Sequence, residues 1–147
     1  MDSKFEYTVI IEHLEKTIDR RQNITTIYLS VNAALLGVIS FVLQEGVIWS
    51  QISTLALLLA GLIASHIWRR LLNDYNILLG WWYGILREAE SELPNIKKIF
   101  TREYLEIYSD GVARKTKIGL TLHEIKLTWL FTSFYFGLGI LTLMSLI

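Results

Sequence analysis

Three long apolar blocks, separated by polar segments, set the pattern of this chain. The blocks are residues 24–43, 47–68 and 127–147, and none of them contains Lys, Arg, Asp or Glu. Each is close to the roughly 20 residues that a helix needs to cross about 30 Å of hydrocarbon. The pattern therefore predicts an all-α integral membrane protein with three transmembrane helices.

Composition supports a membrane protein. The 147 residues are 52% hydrophobic and their mean hydropathy is +0.40, which is too apolar for an ordinary soluble domain of this size. The first 23 residues are rich in charge and no small-residue cleavage pattern follows the first block, so we expect no secretory signal. The chain has no cysteine, which excludes disulfides and thiolate metal sites.

The basic residues predict the topology. All fourteen Lys and Arg residues lie in residues 1–23 or 69–126, and such residues are retained on the cytoplasmic side. We therefore expect four parts: a cytoplasmic amphipathic helix (1–23), a transmembrane hairpin (24–68), a cytoplasmic helical domain (69–126) and a last transmembrane helix (127–147). The loop 44–46 and the C-terminus would lie outside, on the side of the membrane away from the cytoplasm. Because the net charge is zero, we expect no nucleic acid partner.

A seam of small, apolar and aromatic residues follows the second block and continues beyond it. From Ala64 onward the gaps alternate between four and three, as in a coiled coil. The spacing predicts one helix over residues 47–93, about 70 Å long. Its seam packs either on the chain's own helices or between subunits of a homo-oligomer, and Trp81, about 100° away, implies a second contact. The predicted oligomer interface consists of Ala56, Ala60, Ala64, Trp68, Leu71, Tyr75, Leu78, Trp82 and Ile85.

Asn32 is the strongly polar side chain of the first block. Polar groups at this depth turn toward the interior of a helix bundle. Two interpretations are open: Asn32 forms a hydrogen bond with a neighbouring helix as a packing contact, or it lines a pore.

The remaining sequence offers little chemistry. We find no metal-binding spacing, nucleotide-binding loop or catalytic constellation, and we predict no enzyme activity and no cofactor. After Pro94 we expect a helix over about 101–108, a turn, and a second helix that completes a hairpin. Glu88, Glu90 and Glu92 are expected on a solvated face. A cluster of basic residues is predicted to contact lipid headgroups or an anionic partner such as a nucleotide. It comprises Lys97, Lys98, Arg102, Arg114, Lys115 and Lys117.

Five short strings stand out: Arg20 with Arg21, VNAALLG at residues 31–37, Trp68 followed by LLNDYN, ESELP at 90–94, and LTLHE at 120–124. Together they resemble the RipA-type small bacterial membrane proteins, which are described as octameric. The architecture is also similar to the SLATT-type membrane effectors of phage defence. The resemblance implies an inner-membrane homo-oligomer and supplies no catalytic residues.

Two functions are considered, and the sequence favours the first, with the second as the alternative. In the first, the oligomer is a membrane-perturbing or channel-like effector, triggered by a cytoplasmic partner protein or a nucleotide signal. In the second, it is a non-conducting scaffold that recruits cytoplasmic partners. The few polar positions in the spans argue against a selective transporter.

Overall fold

The computed structural model describes residues 3–43, 48–93, 97–109 and 120–145. They form four α-helices, which we number α1 (Ser3–Leu43), α2 (Ile48–Glu92), α3 (Ile99–Glu103) and α4 (Leu120–Met144), with a π-helical turn (Tyr104–Ser109) after α3. These described ranges contain no β-strand. The all-α prediction is confirmed, and α2 is the single long helix expected over residues 47–93.

The three long helices are the candidate membrane spans. Each of α1, α2 and α4 contains a stretch long and apolar enough to cross a bilayer. The expected three spans are therefore confirmed. In an apolar medium the helical hydrogen bonds satisfy the backbone within each segment, which is why these residues adopt helices there.

The chain divides into two compact units, which we name by number. Unit 1 comprises Met1–Gln22 and Asn73–Leu122, and unit 2 comprises Asn23–Leu72 and His123–Ile147. Each unit takes residues from sequence-distant helices. Each also has its own apolar core.

The core of unit 1 is built from helical stripes of α1 and α2. Leu14, Leu79 and Leu86 are buried, and the seven-residue interval from Leu79 to Leu86 returns a helix to the same face. Tyr7, Ile10, Ile11, Ile18, Trp82 and Phe100 pack around them. The α1 residues of this core form the apolar face of the amphipathic helix expected within residues 1–23.

The core of unit 2 joins the three long helices. Ile39 of α1, Leu58 of α2 and Tyr135 of α4 are buried together. Trp68 is also fully buried, and its indole stacks on Tyr28 and meets Phe131 at a tilt. Aromatic packing therefore continues this core along α2.

Candidate functional site

A polar triad lies inside unit 2. Asn32 of α1, Ser65 of α2 and Tyr135 of α4 are all 0% exposed. The Asn32 side-chain oxygen accepts hydrogen bonds from the Ser65 hydroxyl at 3.1 Å and from the Tyr135 hydroxyl at 2.9 Å. The Asn32 amide nitrogen donates to the carbonyl of Tyr28 at 2.7 Å. The triad thus links the three long helices through hydrogen bonds.

Gly61 makes the approach of Tyr135 possible. A Cβ added to Gly61 would lie closer than 3.0 Å to three atoms of the Tyr135 ring. The ring therefore lies directly on the α2 backbone, one turn before Ser65. The sequence analysis identified Asn32 but missed its partner Tyr135. The available signal was a phenol within an apolar block, since a buried tyrosine hydroxyl requires a partner.

The triad bears on the two interpretations of Asn32. Its side chain faces into the protomer and its oxygen already has two donors, which is the arrangement that the packing interpretation requires. A residue that lines a pore must instead present its polar atoms to a ring axis. The geometry of a single protomer favours the packing interpretation, and pore lining stays a prediction.

A buried carboxylate organises unit 1. Glu90 is 0% exposed and accepts backbone hydrogen bonds from Phe100 at 3.0 Å and from Thr101 at 2.8 Å. It also accepts from the Thr101 hydroxyl at 2.8 Å and from the Tyr7 hydroxyl at 3.2 Å. Lys98, at the N-cap of α3, makes no side-chain cap. Glu90 therefore caps α3 from a distant helix.

The prediction that the three glutamates Glu88, Glu90 and Glu92 lie on a solvated face is thus wrong for Glu90. Glu88 and Glu92 are exposed, but Glu90 is buried. On a helix, residues two apart point in nearly opposite directions, so one member of the series can enter the core while its neighbours remain in solvent. The four donors around Glu90 offset the cost of burying its charge.

Glu90 and Tyr7 lie outside the charge-free blocks, and their surroundings shift the pKa of both side chains. Burial by itself would raise the pKa of Glu90, but the hydrogen bonds from Phe100, Thr101 and Tyr7 favour its charged form and lower the pKa below the ordinary 4.5. Burial and the charge of Glu90 raise the pKa of Tyr7 above the ordinary 10.0. Near neutral pH the pair is therefore a carboxylate that accepts from a neutral phenol.

The residues of the predicted seam have different environments. Trp68 is fully buried within unit 2, and Trp82 stacks on His13 of unit 1 with ring centroids 5.6 Å apart. Ala56 and Ala60 are exposed, Leu78 is 41% exposed, and Ala64, Leu71, Tyr75 and Ile85 are half-buried. The two tryptophans therefore pack on helices of their own chain, and the most exposed positions are Ala56, Ala60 and Leu78.

The structure describes only part of the predicted cluster of basic residues. Lys97, Lys98 and Arg102 are exposed, and Arg102 forms an ion pair with Glu106 on the next helical turn. Arg114, Lys115 and Lys117 lie outside the described residues. The structure therefore places three of the six residues on the surface of unit 1, close together in sequence.

Comparison with known proteins decides the family. Residues 4–144 match the model of the Octameric membrane protein family (8xMP). The chain belongs to this family. No match was found among the curated proteins or among the solved structures. The expected resemblance to octameric membrane proteins is confirmed.

Membership in the Octameric membrane protein family means that the chain self-associates in a membrane. The protomer retains surfaces that suit such contacts. Ala56 and Ala60 are exposed, and a Cβ added to Gly137 or Gly139 would meet, within 4 Å, no described atom beyond its chain neighbours and the adjacent backbone of its own helix. Small residues with open space beside them allow close approach of helices in lipid.

Proposed function

We propose that the chain is a non-conducting membrane scaffold, whose subunits assemble in the bacterial inner membrane and expose residues 1–23 and 69–126 to the cytoplasm. The buried triad is the observation that supports this most. Asn32 donates and accepts its hydrogen bonds inside the protomer, so it offers no polar lining to a path between subunits. Polar or charged side chains at depth commonly mark ion pathways in membrane proteins.

The outer faces of the spans agree with this proposal. Val38 of α1, Leu59 of α2 and Leu141 of α4 are exposed, and the apolar blocks contain no charged residue. Faces of this kind suit lipid or another apolar helix. The distribution of the basic residues supports the proposed orientation.

A scaffold needs a surface for its partner, and the start of the α3 region supplies one. Residues 97–117 contain six basic and three acidic residues, and Lys97 and Lys98 are exposed. Charge complementarity favours a cytoplasmic protein with an acidic surface. No catalytic step is part of this proposal.

The test measures ion leakage and recruitment separately. Purified oligomer in vesicles of phosphatidylethanolamine and phosphatidylglycerol should leak K⁺ no faster than empty vesicles do. In cells, proximity labelling from a fusion to the chain should mark acidic proteins that are lost in Lys98→Glu but kept in Lys16→Glu, a matched change at another exposed lysine of unit 1. Rapid leakage from wild-type vesicles, or identical labelling by both variants, would contradict the scaffold.

The second candidate is a membrane-perturbing or channel-like effector, such as one acting in phage defence. It is favoured by the same triad, because Ser65, Asn32 and Tyr135 bring polar atoms of all three long helices to one point. Separation of the helices by a partner protein or a nucleotide signal would expose those atoms. The similarity in architecture to SLATT-type effectors also supports it.

Membrane potential distinguishes the two candidates. Under the effector hypothesis, induced expression with the trigger present depolarises cells, and Asn32→Leu abolishes depolarisation while the oligomer still forms. Under the scaffold hypothesis, neither the wild type nor the variant changes the potential.

A further inference from the structure

The α2 segment of unit 1 carries an apolar patch that its own protomer leaves uncovered. Ile77 is 72% exposed, Leu78 41% and Trp81 57%. Ile77 and Trp81 are four residues apart and therefore share one face of the helix. Both lie two residues from the buried Leu79, so they point about 200° away from the core of unit 1.

Lipid is a poor cover for this patch. It lies beyond the charge-free block of residues 47–68, and Arg69, Arg70, Asp74, Arg87 and Glu88 accompany it on the same helix. Burial of those charges in hydrocarbon is costly. In water, a cluster of three large apolar side chains including a tryptophan typically marks a protein interface.

Self-association of the chain indicates which protein covers it. Each subunit of a homo-oligomer buries part of its surface against other copies of the chain. The side of α2 that carries Leu79, Leu86 and Glu90 is already occupied within the protomer. We infer that Ile77, Leu78 and Trp81 pack against a second copy of this chain in the assembled oligomer, outside the membrane spans.

This inference rests on self-association and not on the scaffold proposal. It also moves the interface relative to the sequence-predicted seam. Leu78 belongs to both sets, but Trp82 packs on His13 within the protomer, and Trp81 takes its place at the surface. Trp81 meets Trp82 edge to face, with centroids 4.9 Å apart, which limits the freedom of the exposed ring before assembly.

The absence of cysteine allows a direct test with single-cysteine variants. Ile77→Cys and the control Ile99→Cys are labelled with a hydrophilic maleimide in the purified oligomer, reconstituted in lipid nanodiscs. Ile99 is a matched control because it is also isoleucine in unit 1 and is 61% exposed. We expect Ile77→Cys to react at least tenfold more slowly in the oligomer, and both variants to react equally after dissociation in sodium dodecyl sulfate.

A second arm measures assembly. Ile77→Asp should convert the oligomer to smaller species in native mass spectrometry, whereas Ile99→Asp should leave it intact. Should Ile77→Asp fail to fold, the cysteine variants still decide the question. Equal labelling rates in the purified oligomer would overturn the inference. So would protection of Ile77→Cys seen only in cells, because a different protein would then cover the patch.

Discussion

The Glu90 carboxylate provides the sharpest prediction. Glu90→Gln keeps the size of the side chain but replaces one acceptor oxygen with an NH₂ donor. In wild type each oxygen accepts one backbone N–H, from Phe100 or from Thr101. In either orientation of the amide, one of these N–H groups therefore faces a donor and loses its partner.

The expected magnitude follows from that lost bond. A buried donor without an acceptor costs about 1–3 kcal/mol, and the other bonds weaken because their acceptor is no longer charged. We expect the docking of α3 to weaken by about 2–3 kcal/mol. Since about 1.4 kcal/mol is a factor of ten, the amides of Phe100 and Thr101 should exchange with deuterium roughly 30–150 times faster.

Hydrogen exchange followed by mass spectrometry or NMR measures this effect at neutral pH. Glu88→Gln is the matched control, because it makes the same change on the same helix at an exposed residue, and it should leave both amides unchanged. If Glu90→Gln exchanges as slowly as wild type, or if the control shows the same acceleration, then Glu90 does not hold α3 in place and our account of unit 1 is refuted.

The pH dependence gives a second measurement on the same site. Because the folded pKa of Glu90 lies below its ordinary value of 4.5, its stabilisation is complete above that pH and is lost as the pH falls through the folded value. Tyr7 has the opposite sign: its folded pKa lies above 10.0, so its contribution is complete below that pH and lost above the folded value. After correction for intrinsic exchange, wild type should lose protection in acid, whereas Glu90→Gln should not.

Three further predictions concern packing. Gly61→Ala should lower the thermal unfolding temperature in detergent, at a cost of about 1–3 kcal/mol from the clash with Tyr135. The control Gly137→Ala faces open space in the described protomer and should have little effect on the unfolding of the protomer, so equal shifts would contradict the prediction. Asn32→Leu should retain the oligomer but unfold at a lower temperature, because two hydroxyls lose their acceptor at about 0.6–2 kcal/mol each in a membrane; an unchanged melting temperature would count against the triad. Trp82→Ala should destabilise unit 1 by somewhat less than the 3–5 kcal/mol typical of fully buried tryptophan. If native mass spectrometry instead shows a loss of assembly without a loss of thermal stability, the Trp82 indole packs between subunits.

The sequence by itself determined that the chain is all-α, with three long apolar helices. The second helix of the hairpin expected after residue 108 falls partly on residues outside the described ranges. In lipid, charge-free blocks of about 20 residues can satisfy their backbone hydrogen bonds only as helices or closed barrels. The spacing of apolar residues, which alternates between three and four, extended the predicted α2 far beyond its charge-free block. These features depend on neighbours along the chain. The bounds of α2 were accordingly predicted closely: the helix ends at Glu92, and the sequence predicted an end at residue 93.

Only the tertiary structure decided what covers each face. Periodicity places Leu78 and Trp82 on one apolar stripe of α2, but it does not say that Trp82 packs on His13 within the protomer while Leu78 is 41% exposed. Glu90 shows the same limit for a polar residue. Its burial depends on donors 83, 10 and 11 residues away, at Tyr7, Phe100 and Thr101.

The triad shows why the candidate site escaped prediction in part. Asn32 was identified because a single amide at membrane depth must find partners. Its partners, Ser65 and Tyr135, lie 33 and 103 residues away, and Tyr135 reaches Asn32 because Gly61 leaves space for its ring. Local propensity fixes a helix through contacts between near neighbours, whereas hydrogen bonding and close packing between helices depend on distances that exist only after the chain has folded.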